Sequence, residues 1–129
     1  MKLAENYLIE IYDAKNLCNR KDIESILREF AEYCGCTIID SKAHFFNPQG
    51  YSCVLLLQES HLSIHTWPEY NAAIIDFSTC VLDSATKVEN AVQYLARNFD
   101  CKLKYTRVDR YIKEPSCENN VVMQSIIAE

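Results

Sequence analysis

Two apolar runs, Val54-Leu55-Leu56-Leu57 and Ala72-Ala73-Ile74-Ile75, flank a polar stretch that a folded chain has few ways to accommodate. That stretch is Gln58-Glu59-Ser60-His61-Leu62-Ser63-Ile64-His65-Thr66-Trp67-Pro68-Glu69. It carries two of the three histidines and the sole tryptophan, so the chain's polar chemistry is concentrated here. From His61 the pattern alternates. Leu62, Ile64 and Thr66 lie on one side and His61, Ser63 and His65 on the other, as on a half-buried strand. Polar groups held between buried strands are where functional groups concentrate. The plainer alternative is a polar hairpin loop.

The other segments follow from periodicity. Tyr7-Leu8-Ile9-Glu10-Ile11-Tyr12, within Leu3 to Asp13, reads as a strand of β-formers. Asp22 to Cys34 reads as a helix, with Ile23, Ile26, Leu27, Phe30 and Cys34 on one stripe and Gly35 as its C-cap. Cys36 to Phe46 reads as a strand, and Asn47-Pro48-Gln49-Gly50 as a turn. Tyr51 to Gln58 is an apolar strand, buried on both faces or at a dimer contact. Trp67-Pro68 ends the alternating strand, and Asn71 to Cys80 is the next. Asp83 to Phe99 is a second helix, with Val88, Ala91, Val92, Leu95, Ala96 and Phe99 on its stripe and Thr86 with Glu89 as a capping box. Lys102 to Ile112 is a charged strand suited to a sheet edge. Pro115 to Asn120 is loop, and an apolar tail follows from Val121. This order predicts an α+β two-layer sandwich, with two helices on one face of an antiparallel sheet, in one domain over 1–129.

Composition excludes several classes. At 49% hydrophobic and 24% charged the chain can build a core. A net charge of -5 argues against nucleic acid. No stretch approaches a membrane span, and the start resembles no signal peptide, so a cytoplasmic protein is expected. Seven scattered cysteines, an odd number, point to free thiols in a reducing compartment. Cys34-x-Cys36 is a poor metal spacing. His61 and His65 on a strand are too far apart to chelate, so no metal is expected.

The segment Glu59-Ser60-His61-Leu62-Ser63-Ile64-His65-Thr66-Trp67-Pro68-Glu69 resembles the processing segment of the prokaryotic S-adenosylmethionine decarboxylases. The likeness extends upstream through Phe46-Asn47-Pro48-Gln49-Gly50 and Ser52, and downstream to Asp76 and Thr79-Cys80. It covers most of the chain to about Arg110. Val81, Cys53 and Asn71 stand where that family usually has Gly, and Ser78 where it usually has an aromatic residue. These departures bear on the substrate pocket more than on self-cleavage.

The resemblance implies a pyruvoyl-dependent decarboxylase that cuts itself between residues 59 and 60. Ser60 attacks the Glu59 carbonyl, and the amide becomes an ester. A base then removes the Ser60 α-proton, and elimination and hydrolysis leave a ketone at residue 60. Backbone strain and an oxyanion donor have to assist. By resemblance Ser52 and His65 take part in processing, and an imidazole suits proton transfer near neutrality. The pyruvoyl group then takes the substrate amine as a Schiff base and draws electrons from the breaking bond. By the same resemblance Ser60, His65 and Cys80 are catalytic, Cys80 as the acid. Phe46 stacks on adenine and Glu69 accepts from the ribose hydroxyls.

An ideal strand puts Ser60 and His65 on opposite faces, so their meeting requires the chain to bend between them. A homodimer is expected, with each site drawing on both chains. The leading reading is S-adenosylmethionine decarboxylation for spermidine synthesis. The alternatives are a pyruvoyl-dependent ornithine or arginine decarboxylase and a non-catalytic regulatory relative.

Overall fold

A computed structural model describes residues 1–17, 20–80, 85–112, 121 and 123–126. Cys18, Cys117, Val81 and most of the tail over 113–129 lie outside the described residues.

The elements run β1 (Lys2–Tyr12), α1 (Arg20–Tyr33), β2 (Ile38–Phe45), β3 (Tyr51–Leu57), β4 (Ser60–Trp67), β5 (Ala72–Thr79), α2 (Ala85–Phe99) and β6 (Lys102–Tyr111). The strands form one sheet in the order β2-β3-β4-β5-β1-β6, and every neighbouring pair is antiparallel. Both helices pack on the same face. The expected α+β sandwich is the observed architecture.

The two periodicities build the core. Ile23, Leu27 and Phe30 of α1 and Val88, Ala91 and Leu95 of α2 are buried against alternate residues of the central strands: Ile9, Ile11, Leu55, Leu57, Leu62, Ile64, Ile75 and Phe77. Each of these side chains larger than Ala91 contributes about 1.5–3 kcal/mol by leaving water. Gly35 ends α1 at φ +82. There Gly35 N–H bonds Glu32 O at 2.9 Å and Cys36 N–H bonds Ala31 O at 3.0 Å, a Schellman closure.

Two expectations need correction. Of the two settings expected for the β3 strand, burial on both faces fails within one chain, since Tyr51, Cys53, Leu55 and Leu57 are buried while Val54 and Leu56 are exposed; the other setting, a dimer contact, is untouched by this. The apolar run of β3 is continuous, but the pleat still sends alternate residues to opposite faces, and helices cover only one. The α2 helix already includes Ala85, so Thr86 stands inside it and not at its cap.

The uncovered face carries Leu8, Val54, Leu56, Trp67 and Ile74, all exposed. Between them sit His61, Ser63, His65 and Asp76, placed on that face by the register of β3, β4 and β5. No helix of the described residues is long and apolar enough to cross a membrane.

Candidate active site

The β3–β4 hairpin closes through Gln58 and Glu59, because Leu57 pairs with Ser60. So short a connection forces one residue to positive φ, and Glu59 takes it, at +61. A non-glycine residue there stores on the order of 1 kcal/mol of strain. The turn is anchored to the loop after α1, where Gln58 N–H donates to Thr37 O at 3.0 Å. Cys80 follows β5 directly, and its Sγ donates to Glu59 O at 3.0 Å. Ser60 Oγ donates to Gln58 O at 3.4 Å. Rotation about χ1 brings it to the Glu59 carbonyl carbon through a five-membered ring. Gly35, Cys36 and Thr37 complete a cavity of about 220 Å³ around these groups.

Along the same hairpin, at its open end, Ser52 pairs with His65 across β3 and β4. Ser52 Oγ and His65 Nδ1 share a hydrogen bond of 2.6 Å, so the serine is held by the ring and not by the backbone. Tyr51 N–H donates to Thr66 Oγ1 at 3.0 Å beside them. Gly50 lets the chain turn under Phe46 because its φ of +110 is a conformation that residues with a Cβ rarely adopt. The Phe46 ring stands edge-on to His44, with centroids 4.6 Å apart. Glu69 lies exposed on a 3₁₀ turn, Pro68–Tyr70, that Asn71 closes at φ +52. Asparagine tolerates this left-handed conformation where the resembling family usually has glycine. Phe46, Gln49, Ser52, His65, Trp67 and Glu69 line a cavity of about 310 Å³.

The chain does not bend between these two groups. β4 stays in unbroken register with β3 and β5 over its length. Five residues of strand separate Ser60 from His65 by roughly 17 Å, with the side chains on opposite faces. The chain therefore brings Glu59, Ser60 and Cys80 together, and separately brings Phe46, Ser52, His65 and Glu69 together. Among the described residues no group of three or more His, Cys, Asp or Glu side chains is placed to hold a metal ion.

Reading the residues alone missed Cys36 and Trp67 as lining groups. Trp67 had the signal of ending the motif strand. Cys36 had none, because its approach depends on how α1 ends. Burial pushes the Cys36 thiol up, the Thr79 hydroxyl opposes that, and Cys80 adds to it. The remaining departures sit in ordinary settings. Cys53 is buried with its Sγ 3.9 Å from Glu24 Oε1, and Ser78 Oγ donates to Asn6 Oδ1 at 3.2 Å.

A family model described as S-adenosylmethionine decarboxylase matches residues 5–111. The chain belongs to this family. It is 45% identical over 107 residues to an S-adenosylmethionine decarboxylase proenzyme of Thermodesulfovibrio yellowstonii, covering 78% of this chain and 75% of that one. It is 41% identical over 117 residues to a proenzyme of the same name from Acetivibrio thermocellus, covering 87% and 91%. A crystal structure of the adenosylmethionine decarboxylase from Aquifex aeolicus superposes with a TM-score of 0.75 at 30% identity, covering 92% of this chain and 98% of that one. The matched span contains both groups of candidate site residues.

Proposed function

We propose that this chain is a proenzyme that cuts itself between Glu59 and Ser60 and, once cut, decarboxylates S-adenosylmethionine. The names of its relatives favour that substrate over ornithine or arginine. The observation that carries the reading is the Cys80 thiol donating to the carbonyl of a left-handed Glu59, immediately before Ser60. Strain raises the ground state of this peptide unit. The thiol stands where negative charge develops when the Ser60 hydroxyl attacks.

The residues present fit a pyruvoyl group at position 60. When formed, it supplies the electrophile and the electron sink for loss of carbon dioxide. Cys80 then lies beside residue 60, with a proton to return to the product carbon. Phe46 offers a flat face to adenine, and Glu69 accepts hydrogen bonds from the ribose. The product serves as the aminopropyl donor for spermidine synthesis. Five free cysteines among the described residues support a reducing, cytoplasmic setting.

Since Ser52 and His65 lie far from Ser60 of their own chain, the reading requires a homodimer in which one protomer's dyad serves its partner's Ser60. The uncovered sheet face, with Leu8, Val54, Leu56 and Ile74 exposed, supports a second copy as its cover.

Mass spectrometry tests the cleavage. Wild-type protein should yield two fragments, the larger blocked at its N-terminus, and Ser60→Ala should stay whole. Wild type that stays whole indefinitely overturns the reading. Mixing tests the dimer. His65→Ala chains should remain uncut alone and be cut when paired with Ser60→Ala chains. No rescue in the pair, or a monomer by light scattering, overturns the shared site. Carbon dioxide release from S-adenosylmethionine, and none from ornithine or arginine, is the expected substrate result.

A further inference from the structure

Two thiols, not one, share the cavity that holds the scissile bond. Cys36 and Cys80 both line it with Glu59 and Ser60. They arrive from unrelated parts of the chain. Cys36 comes from the Schellman closure of α1, and Cys80 from the residue after β5. Cys36 Sγ is 3.9 Å from Thr79 Oγ1, and Thr79 is the residue before Cys80. Lys87 Nζ stands over the same loop, 3.4 Å from the point a Cβ on Gly35 would occupy. Its ammonium favours the thiolate of Cys36, against the larger effect of burial. The other described cysteines are placed elsewhere. Cys34 and Cys53 are buried in the core, and Cys101 precedes β6 at the opposite end of the sheet.

We propose that Cys36 and Cys80 form a reversible disulfide, a modification site that suspends the chemistry at residue 60. The oxidant is a hydroperoxide. The Cys80 thiol takes the outer peroxide oxygen to become a sulfenic acid, the O–O bond breaks, and the rest of the hydroperoxide leaves as an alcohol, or as water when the oxidant is hydrogen peroxide; the next step then releases one water. The Cys36 sulfur attacks the Cys80 sulfur, the S–O bond breaks, and hydroxide leaves with the Cys36 proton as water. Two electrons pass from the sulfurs to the peroxide. A small dithiol returns both electrons and both protons. In the disulfide Cys80 no longer carries S–H, so the Glu59 carbonyl loses its donor and the mature site loses its acid. This consequence rests on the proposed function, whereas the bond itself does not.

The linkage is tested on the full-length Ser60→Ala chain, which stays whole. After hydrogen peroxide, alkylation of remaining thiols and proteolysis, mass spectrometry should find a peptide joining Cys36 to Cys80. Absence of that peptide, or Cys36 joined to a different cysteine, overturns the proposal. Precursor made by cell-free synthesis should cleave at least about tenfold more slowly after peroxide and recover with dithiothreitol. The Cys36→Ser chain has no resolving thiol, so its Cys80 should oxidise further and recover to less than about half its untreated rate. Recovery of Cys36→Ser equal to that of wild type overturns the proposal. A linked peptide with an unchanged cleavage rate leaves the bond standing and removes the donor role of Cys80, which separates the two readings.

Discussion

At the Ser60 end of β4 a thiol meets a backbone carbonyl; at the Trp67 end an imidazole meets a hydroxyl. The first group sits in a tight turn whose backbone is held in an unfavourable conformation by the pairing on either side. The second sits on regular antiparallel strands, where side chains directly opposite touch without strain. The strained end holds the Glu59–Ser60 bond that is proposed to break. The regular end holds a hydroxyl–imidazole pair beside an aromatic ring and a carboxylate, Ser52 and His65 with Phe46 and Glu69. Their separation teaches that a straight strand keeps the two groups of one chain apart, which is why the proposed reaction draws on a second copy.

The sharpest division comes from Cys80→Ala. Losing the donor to Glu59 O should slow self-cleavage by up to about 10²-fold, about 2.7 kcal/mol, as measured by band conversion over time. S-adenosylmethionine affinity at the other end should be unchanged. Equal cleavage rates for Cys80→Ala and wild type would break the comparison.

Phe46→Ala is the converse. It should weaken S-adenosylmethionine binding by about 1–3 kcal/mol, read as a raised KM, and leave the cleavage rate intact. An effect on cleavage instead would show that Phe46 acts in processing alongside Ser52 and His65 and not in substrate binding alone.

Alkaline pH sharpens the contrast through stability. Burial pushes the Cys34 thiol, next to the cavity at the Ser60 end, up to about 12 from its ordinary 9.0. The folded chain then keeps a proton that the unfolded chain gives up. This contribution is intact below the unfolded value and lost as pH rises from about 9 toward about 12, by up to about 1.4 kcal/mol for each pH unit. Urea midpoints should fall across that window, and Cys34→Ala should fall less steeply.

The smallest effect belongs to Glu59→Gly. Glycine accepts φ +61 freely, so the variant should gain about 1 kcal/mol in the ground state and cleave up to about fivefold more slowly. A faster cleavage would exclude strain at this residue as a driving term.

The helices and the β4 strand were legible as periods in the residues, whereas the continuous apolar run of β3 hid its alternation and the 3₁₀ turn Pro68–Tyr70 had no period to read. The stripe Ile23-Ile26-Leu27-Phe30 could bury only as a helix, and Leu62-Ile64-Thr66 against His61-Ser63-His65 only as a strand with two unlike faces. The family was legible too, because an unusual run of residue types is local information. The closeness of the candidate site residues was not. Whether Ser60 and His65 meet depends on whether β4 bends, and its pairing partners β3 and β5 hold it straight. Whether Cys80 faces Glu59, and Cys36 joins them, depends on where β5 and α1 end relative to a turn at positions 58 and 59. Sequence determines which residues alternate and which repeat every turn, since these follow from backbone geometry alone. Tertiary structure decides which ends of those elements come to lie side by side, since that is set by packing between segments far apart in the chain.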